Sequence, residues 1–378
     1  MVALTYGLPQ HNLRYSTIFT GKNHFFEKYM KYIEKKLLKK ALSLLLLPGL
    51  LLPLLTSCGL SQNTPVQKTG FFFDTVITVT LYGGDTKENE SLLSDCMDLA
   101  EKYENLFSDT KADSDISKIN SAAGDSVQVD PETVKLINIG LAYGALSEGK
   151  FSITCGALTE LWDISSKADA YAEKGDAADI SIPSEKEIAA ALATVGDKNV
   201  KISNDTVKLL NPATRLDLGA VAKGYIADRM KEYLVENNVK NAIINLGGNV
   251  LTLGTRPNGD EYIIGIQKPF SEDGEAAFTL NVTDKSVVTS GNYQRYFRKD
   301  GKLYHHILDL TTGYPAETDY TSVSVITKDS VDGDCLSTLF FLMGEDWARN
   351  YIEYYEPAVV AYFIESDGEV SCVGLLKD

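Results

Sequence analysis

Histidine is scarce in this chain of 378 residues: there are four, and two of them, His305 and His306, are neighbours. Cysteine is scarce too, at five, widely spaced and without a CxxC pair. That spacing excludes the usual zinc frameworks. A disulfide scaffold is not expected in a body this large, although one bridge among Cys96, Cys155, Cys335 and Cys372 stays open. Basic residues are outnumbered 36 to 52, for a formal net charge of −16. The deficit is uneven, because residues 1–57 hold eight Lys and Arg against two Asp and Glu, leaving 28 basic and 50 acidic residues in the rest. So acidic a body repels nucleic acid. It has few cations to spare for a polyphosphate, which it must hold through a metal ion or backbone N–H groups. The Walker order GxxxxGK[ST] is missing, and there is no repeat of fixed period.

What is present begins with an export pattern. Lys31, Lys35, Lys36, Lys39 and Lys40 precede an apolar run from Leu42 to Leu55, which Pro48 and Pro53 interrupt. The run falls short of the about 20 residues that span a bilayer, and a small-residue site follows it, as in secretory signals. Leu55-Thr56-Ser57-Cys58 resembles the bacterial lipobox, which implies lipidation at Cys58 and an extracytoplasmic, membrane-anchored protein. The expected organisation is therefore a mistaken extension over 1–29, with Met30 as the true start, a signal over 30–57, a flexible tether over 58–69, and a catalytic body over 70–378.

With 44% hydrophobic and 23% charged residues, the body is globular. Alternation predicts a first strand over Phe71–Tyr82, closed by Gly83-Gly84. Helical spacing follows over Glu88–Phe107, from Pro131 to about Ser147, over Pro183–Ala193 and over Ala220–Asn237. Lys167–Ile180 reads as a mobile surface insertion. The second half is strand-rich, with a hairpin at Asp300-Gly301, a strand over Tyr320–Thr327 and a helix over Val331–Met343. Long helices among mostly antiparallel strands argue an α+β fold.

Three stretches carry chemistry. In Asp217-Leu-Gly-Ala-Val-Ala-Lys-Gly224, a strand delivers Asp217, Gly219 turns the chain and a helix begins, with Lys223 one turn in. Free N–H groups there favour an anion, while a small-residue packing seam with a surface lysine fits equally well. In Asp332-Gly-Asp-Cys-Leu-Ser-Thr338, Asp334 and Thr338 lie four apart on one helix face. A carboxylate and a hydroxyl suit Mg²⁺, and so does the blander reading of a helix cap with a buried threonine. Third come Thr289-Ser-Gly291 and the His305-His306 pair, whose side chains a strand sends to opposite faces. A histidine there can take a proton from a hydroxyl; one solvent-facing and one core histidine is the alternative. Asn245-Leu-Gly-Gly-Asn249 reads as a turn whose glycines admit a flavin or nucleotide against the backbone.

In this order, together with Phe73-Asp-Thr75, Asp113-Ser-Asp-Ile-Ser117, Gly149-Lys-Phe-Ser-Ile-Thr154, His306-Ile-Leu-Asp309 and Thr312-Gly-Tyr-Pro315, these motifs resemble the ApbE family of FAD:protein FMN transferases. The resemblance runs from Phe71 to the C-terminus. It implies Mg²⁺-dependent transfer of FMN from FAD to a Thr or Ser hydroxyl of an acceptor flavoprotein, with release of AMP. It also implies roles: Asp334, Thr338 and the Ala220 carbonyl for Mg²⁺; Phe73, Ser152, Asp217, Lys223, Thr289, Ser290 and Gly291 for FAD; His306 and Asp334 for catalysis. Acceptors of the kind found in the Rnf complex or the sodium-pumping NADH:quinone reductase are implied as well. The chain departs from the family pattern at Ser152, where an aspartate is usual, at Ala157, where a proline is usual, at Leu308-Asp309-Leu310, and around Thr110, where an aromatic is missing. A Mg²⁺-dependent FAD pyrophosphatase and a non-catalytic flavin-binding lipoprotein are the alternatives.

Overall fold

The computed structural model describes residues 2–3, 64–271 and 274–374; the signal region and Cys58 lie outside them. The fold is built on one eight-stranded sheet: β1 (Val66–Phe72), β2 (Thr75–Leu81), β3 (Ala242–Leu246), β4 (Asn249–Leu253), β5 (Ser286–Gly291), β6 (Tyr320–Thr327), β7 (Val360–Glu365) and β8 (Val370–Val373). Spatial order follows chain order, and every neighbouring pair is antiparallel. The α+β expectation holds. Two boundaries move. The expected single strand from Phe71 is a hairpin, because Phe73 and Asp74 adopt positive φ and turn the chain. Val66–Thr69, placed in the tether by sequence, belongs to the sheet and pairs with Leu81–Thr78, whereas residues 58–63 lie outside the described residues.

Long insertions between these strands form the helices: α1 (Thr86–Phe107), α2 (Asp115–Ser121), α3 (Pro131–Leu146), α4 (Gly156–Trp162), α5 (Ile164–Lys174), α6 (Glu185–Leu192), α7 (Ala222–Glu236), α8 (Ser330–Met343) and α9 (Glu345–Tyr354). α1 starts where Asp85 accepts the N–H groups of Lys87 and Glu88, the usual satisfaction of free helix-start donors. The expected mobile insertion at 167–180 is largely α5, with Lys167 Nζ donating to Trp162 O. Its Ala-rich, Gly-free run favours helix, and Tyr171 meets Tyr296 at 6.2 Å.

Alternation splits the sheet into two faces. Ile77, Val79, Leu81, Leu251 and Val325 point into the main core beneath α1, α7 and α8. Each such side chain contributes about 1.5–3 kcal/mol by leaving water. Ile243, Val250, Val287 and Ile326 point the other way, under the hairpin of Tyr262–Gln267 and Ala276–Val282. The two-residue strand Val2–Ala3 pairs with Gly265 and Ile266 of that hairpin. A third cluster, around Trp162, Leu158 and Phe297, joins α4 and α6 to the hairpin at Asp300-Gly301. The consequence for the site is that α7 and α8 lie side by side on one face of the sheet.

Candidate functional site

The site forms where the start of α7 meets α8. The chain enters along Leu216-Asp217, which Asn120 holds from both sides: its Oδ1 accepts Leu216 N–H (2.7 Å) and its Nδ2 donates to Leu216 O (2.9 Å). Asp217 N–H bonds to Ile153 O at 2.8 Å, and the Asp217 carboxylate accepts from Gly219 N–H and the Thr159 hydroxyl. Residues 219–221 make a turn, so α7 begins at Ala222 and not at Ala220 as expected.

Gly224 is the point of closest approach. A Cβ there would stand 2.2 Å from Ser330 O, so only glycine lets α7 cross the start of α8. In a continuing helix Gly224 N–H would bond to Ala220 O. It donates instead to Asp334 Oδ2 at 2.5 Å, which leaves the Ala220 carbonyl without its helical partner. Asp334, 4% exposed, also takes Asn249 Nδ2 at 3.1 Å and faces Lys223 Nζ at 4.0 Å. Thr338 lies one turn further along α8, and its Oγ1 is 3.0 Å from Ser290 Oγ. One carboxylate, hydroxyl oxygens and a free carbonyl make the donor set that a hard cation such as Mg²⁺ prefers. Among the described residues no three His, Cys, Asp or Glu side chains converge, so a cation here rests on that oxygen set.

The two histidines part company where the strand ends: His305 is the last residue of the strand Lys302–His305, and His306 stands in the bend that follows. His305 is 2% exposed; its Nε2 meets Ala316 O at 2.9 Å, Ile307 N–H donates to its Nδ1 at 3.3 Å, and its ring lies edge-on to Phe341. Burial lowers its pKa to about 4, so this is the core histidine and it is neutral. His306 lies beside Arg295, whose carbonyl accepts its backbone N–H at 3.3 Å, and within reach of the Lys223 charge. Burial first, then the charges of Arg295, His305 and Lys223, lower its pKa to about 3. Its Nδ1 is sealed from solvent and has no hydrogen-bond partner. The ring is neutral and close enough to Lys223 to feel its charge.

Asp217, Lys223, Ser290, His306, Asp334 and Thr338 thus converge as the motifs suggested. Others stand apart. Thr289 bonds through Oγ1 to Ser324 at 2.7 Å on the opposite sheet face from Ser290, so only its backbone borders the site. Gly291 packs against the Tyr293 ring. Phe73 is a turn residue whose N–H donates to Glu104 at 2.7 Å, and its side chain packs on the main core. Ser152 bonds to Asp197 (2.5 Å) and to Thr154 (2.7 Å) and lines a cavity of about 430 Å³ with Gly144, Gly149 and Leu310. It reaches Asp217 only through the adjoining Ile153 carbonyl. Burial raises Asp197 above the ordinary carboxylate range. Asp109 is likewise pushed up to about 6, by burial and then by the Asp217 charge. The four described cysteines are all free thiols.

Sequence reasoning missed Asn120 and Asp228, and it read Asn249 only as the end of a glycine turn. Asn249 is 2% exposed and ties Asp334 to the Ser330 hydroxyl (2.7 Å). The only signal was its place after two glycines, which a plain turn explains as well.

Residues 73–363 match the ApbE family. A protein of Klebsiella pneumoniae (strain 342) called FAD:protein FMN transferase is 38% identical over 288 residues, 75% of this chain and 84% of that one. One of the same description from Treponema pallidum (strain Nichols) is 32% identical over 300 residues, 75% and 79% of the two chains. Among solved structures, the ApbE protein of Thermotoga maritima superposes with a TM-score of 0.71 at 29% identity, covering 82% of this chain and 97% of its own. The flavin transferase ApbE of Vibrio cholerae gives 0.70 at 25% identity, covering 83% and 98%.

Proposed function

The chain belongs to the ApbE family, and from that premise we propose how its site works. The chain is an enzyme, a transferase that moves FMN from FAD onto protein. The finer reading is that a Thr or Ser hydroxyl of an acceptor flavoprotein attacks the phosphorus of the FMN half. The new P–O bond forms as the bond to the AMP half breaks, and AMP leaves. The hydroxyl proton passes to the His306 imidazole.

Asp334, Thr338 and the Ala220 carbonyl would hold Mg²⁺, which when bound supplies charge neutralisation on the diphosphate. Lys223 adds a cation on the same side, and Asp217 and the Ser290-Gly291 backbone border the dinucleotide. Burial, with the charges of Arg295 and Lys223 beside it, holds His306 neutral in the free enzyme. A bound diphosphate offsets those charges and makes the imidazole more basic when a proton must be taken.

The observation that carries this reading is the Asp334 carboxylate closing onto Gly224 N–H, beside a freed Ala220 carbonyl and within 4.0 Å of Lys223. The experiment is incubation of the chain with FAD and a candidate acceptor, with Mg²⁺ or EDTA. Acceptor-bound flavin fluorescence that EDTA abolishes is expected. Free FMN and AMP without labelled acceptor would mean hydrolysis, and intact FAD would mean flavin binding alone. We further propose lipid anchoring through Cys58 on the outer side of a bacterial cell membrane, with acceptors among extracytoplasmic subunits of Rnf-type or sodium-pumping NADH:quinone reductase-type complexes.

A further inference from the structure

Asp228 has no part in the chemistry above, yet it is 8% exposed and lies on α7 four residues beyond Gly224, on the same helix face. Its two carboxylate oxygens accept Ser330 N–H at 2.7 Å and Val331 N–H at 2.9 Å, the first two N–H groups of α8. The residue at the cap position of α8, Asp329, makes no side-chain cap bond. A helix start needs acceptors for its free N–H groups, and here another helix supplies them. Ser330 then donates through Oγ to Asn249 Oδ1, Asn249 Nδ2 donates to Asp334 Oδ1, and Gly224 N–H donates to Asp334 Oδ2. The bonds form a closed circuit: Asp228, Ser330, Asn249, Asp334, Gly224 and back along one turn of α7.

We infer that Asp228 is a positioning residue, which fixes the start of α8 against α7 and so sets the direction of the Asp334 carboxylate toward a bound divalent cation. The inference rests on the reading that Asp334 holds that cation. A carboxylate is required because both facing groups are donors. An asparagine keeps one acceptor but turns an NH₂ against the other N–H, and α8 must shift or rotate to relieve it. Residues that orient a metal ligand without touching the metal change metal affinity by about 10- to 100-fold.

The test uses Mn²⁺ binding to the mature chain, followed by electron paramagnetic resonance at pH 8 without flavin, alongside the Mg²⁺ concentration giving half-maximal transfer. Asp228→Asn is expected to weaken Mn²⁺ binding about tenfold and to raise the half-maximal Mg²⁺ by a similar factor, while KM for FAD at saturating Mg²⁺ stays near wild type. Asp228→Ser, smaller and with one acceptor, carries the same expectation should the asparagine variant fold poorly. Leu234→Ala, a core truncation in the same helix, is the control: it lowers Tm without moving either metal value. Wild-type Mn²⁺ affinity in both Asp228 variants would overturn the positioning role and leave the proposed function standing. An equal metal shift in Leu234→Ala would reduce Asp228 to a stabilising contact. Absence of Mn²⁺ binding in the wild type would overturn the cation site itself, and the inference with it.

Discussion

At the scale of single residues, the site turns on which polar atoms are left without a local partner. Asp334→Ala removes the buried carboxylate that faces Lys223. We expect transfer to fall by roughly 100-fold or more with an unchanged far-ultraviolet circular dichroism spectrum; normal flavinylation by this variant in Mg²⁺ would sink the metal assignment. His306→Ala is expected to slow transfer by about 100-fold, measured as kcat at saturating FAD, and an unaltered kcat would remove it from the proton path. His305 belongs to stability. Its pKa falls from 6.5 to about 4 on folding, so between those values the unfolded chain binds more protons than the folded one. The histidine share of stability therefore rises with pH across that window and is lost as pH falls through it, His306 adding in the same direction. Asp109 and Asp228, whose carboxyls burial raises to about 6 and about 7, work the other way, so the check is a difference: between pH 7 and pH 5 the urea midpoint of His305→Asn should fall less, or rise more, than that of the wild type. The sequence predicted that the pair would split between two faces. Which histidine would be the core one was not written there, because that depends on Ala316, eleven residues on, and on Phe341, on a helix further along the chain.

Elements matter through how closely α7 and α8 approach. Gly224→Ala would set a methyl 2.2 Å from the Ser330 carbonyl, against backbone that has no rotamer to escape into. Overpacking of this kind costs about 1–3 kcal/mol, and the helices must part. A lower Tm together with lost Mg²⁺ activation is expected; a fully active, equally stable alanine variant would show that the contact is not required. Periodic elements were legible in advance: β6 has the bounds that alternation gives it, and α1 and α3 start within two residues of Glu88 and Pro131, where helical spacing places them. Turns decided by φ were less legible. The chain reverses at Phe73-Asp74 without glycine, so alternation ran two strands together. The segment at 167–180 looked loose by composition, yet it packs through Tyr171 and Lys167 onto neighbours that no local pattern reveals.

On the scale of the whole molecule, export and chemistry are separate problems. Cys58→Ala is expected to move the protein from the membrane fraction to the soluble fraction without changing the specific activity of the purified chain; membrane retention of that variant would end the lipid-anchor proposal. The fold class was readable because strands and helices kept their own periods. The sheet's simple running order was not, since long insertions separate strands that end as neighbours, as β2 and β3 do. The same insertions determine when the enzyme becomes competent. Gly224 and Asp334 are 110 residues apart in the chain, and the acidic partner comes second. A growing polypeptide therefore carries its lysine and its turn for some time with nothing to close them. The pocket proposed for FAD is complete only once residue 334 has been made and has folded back onto 224.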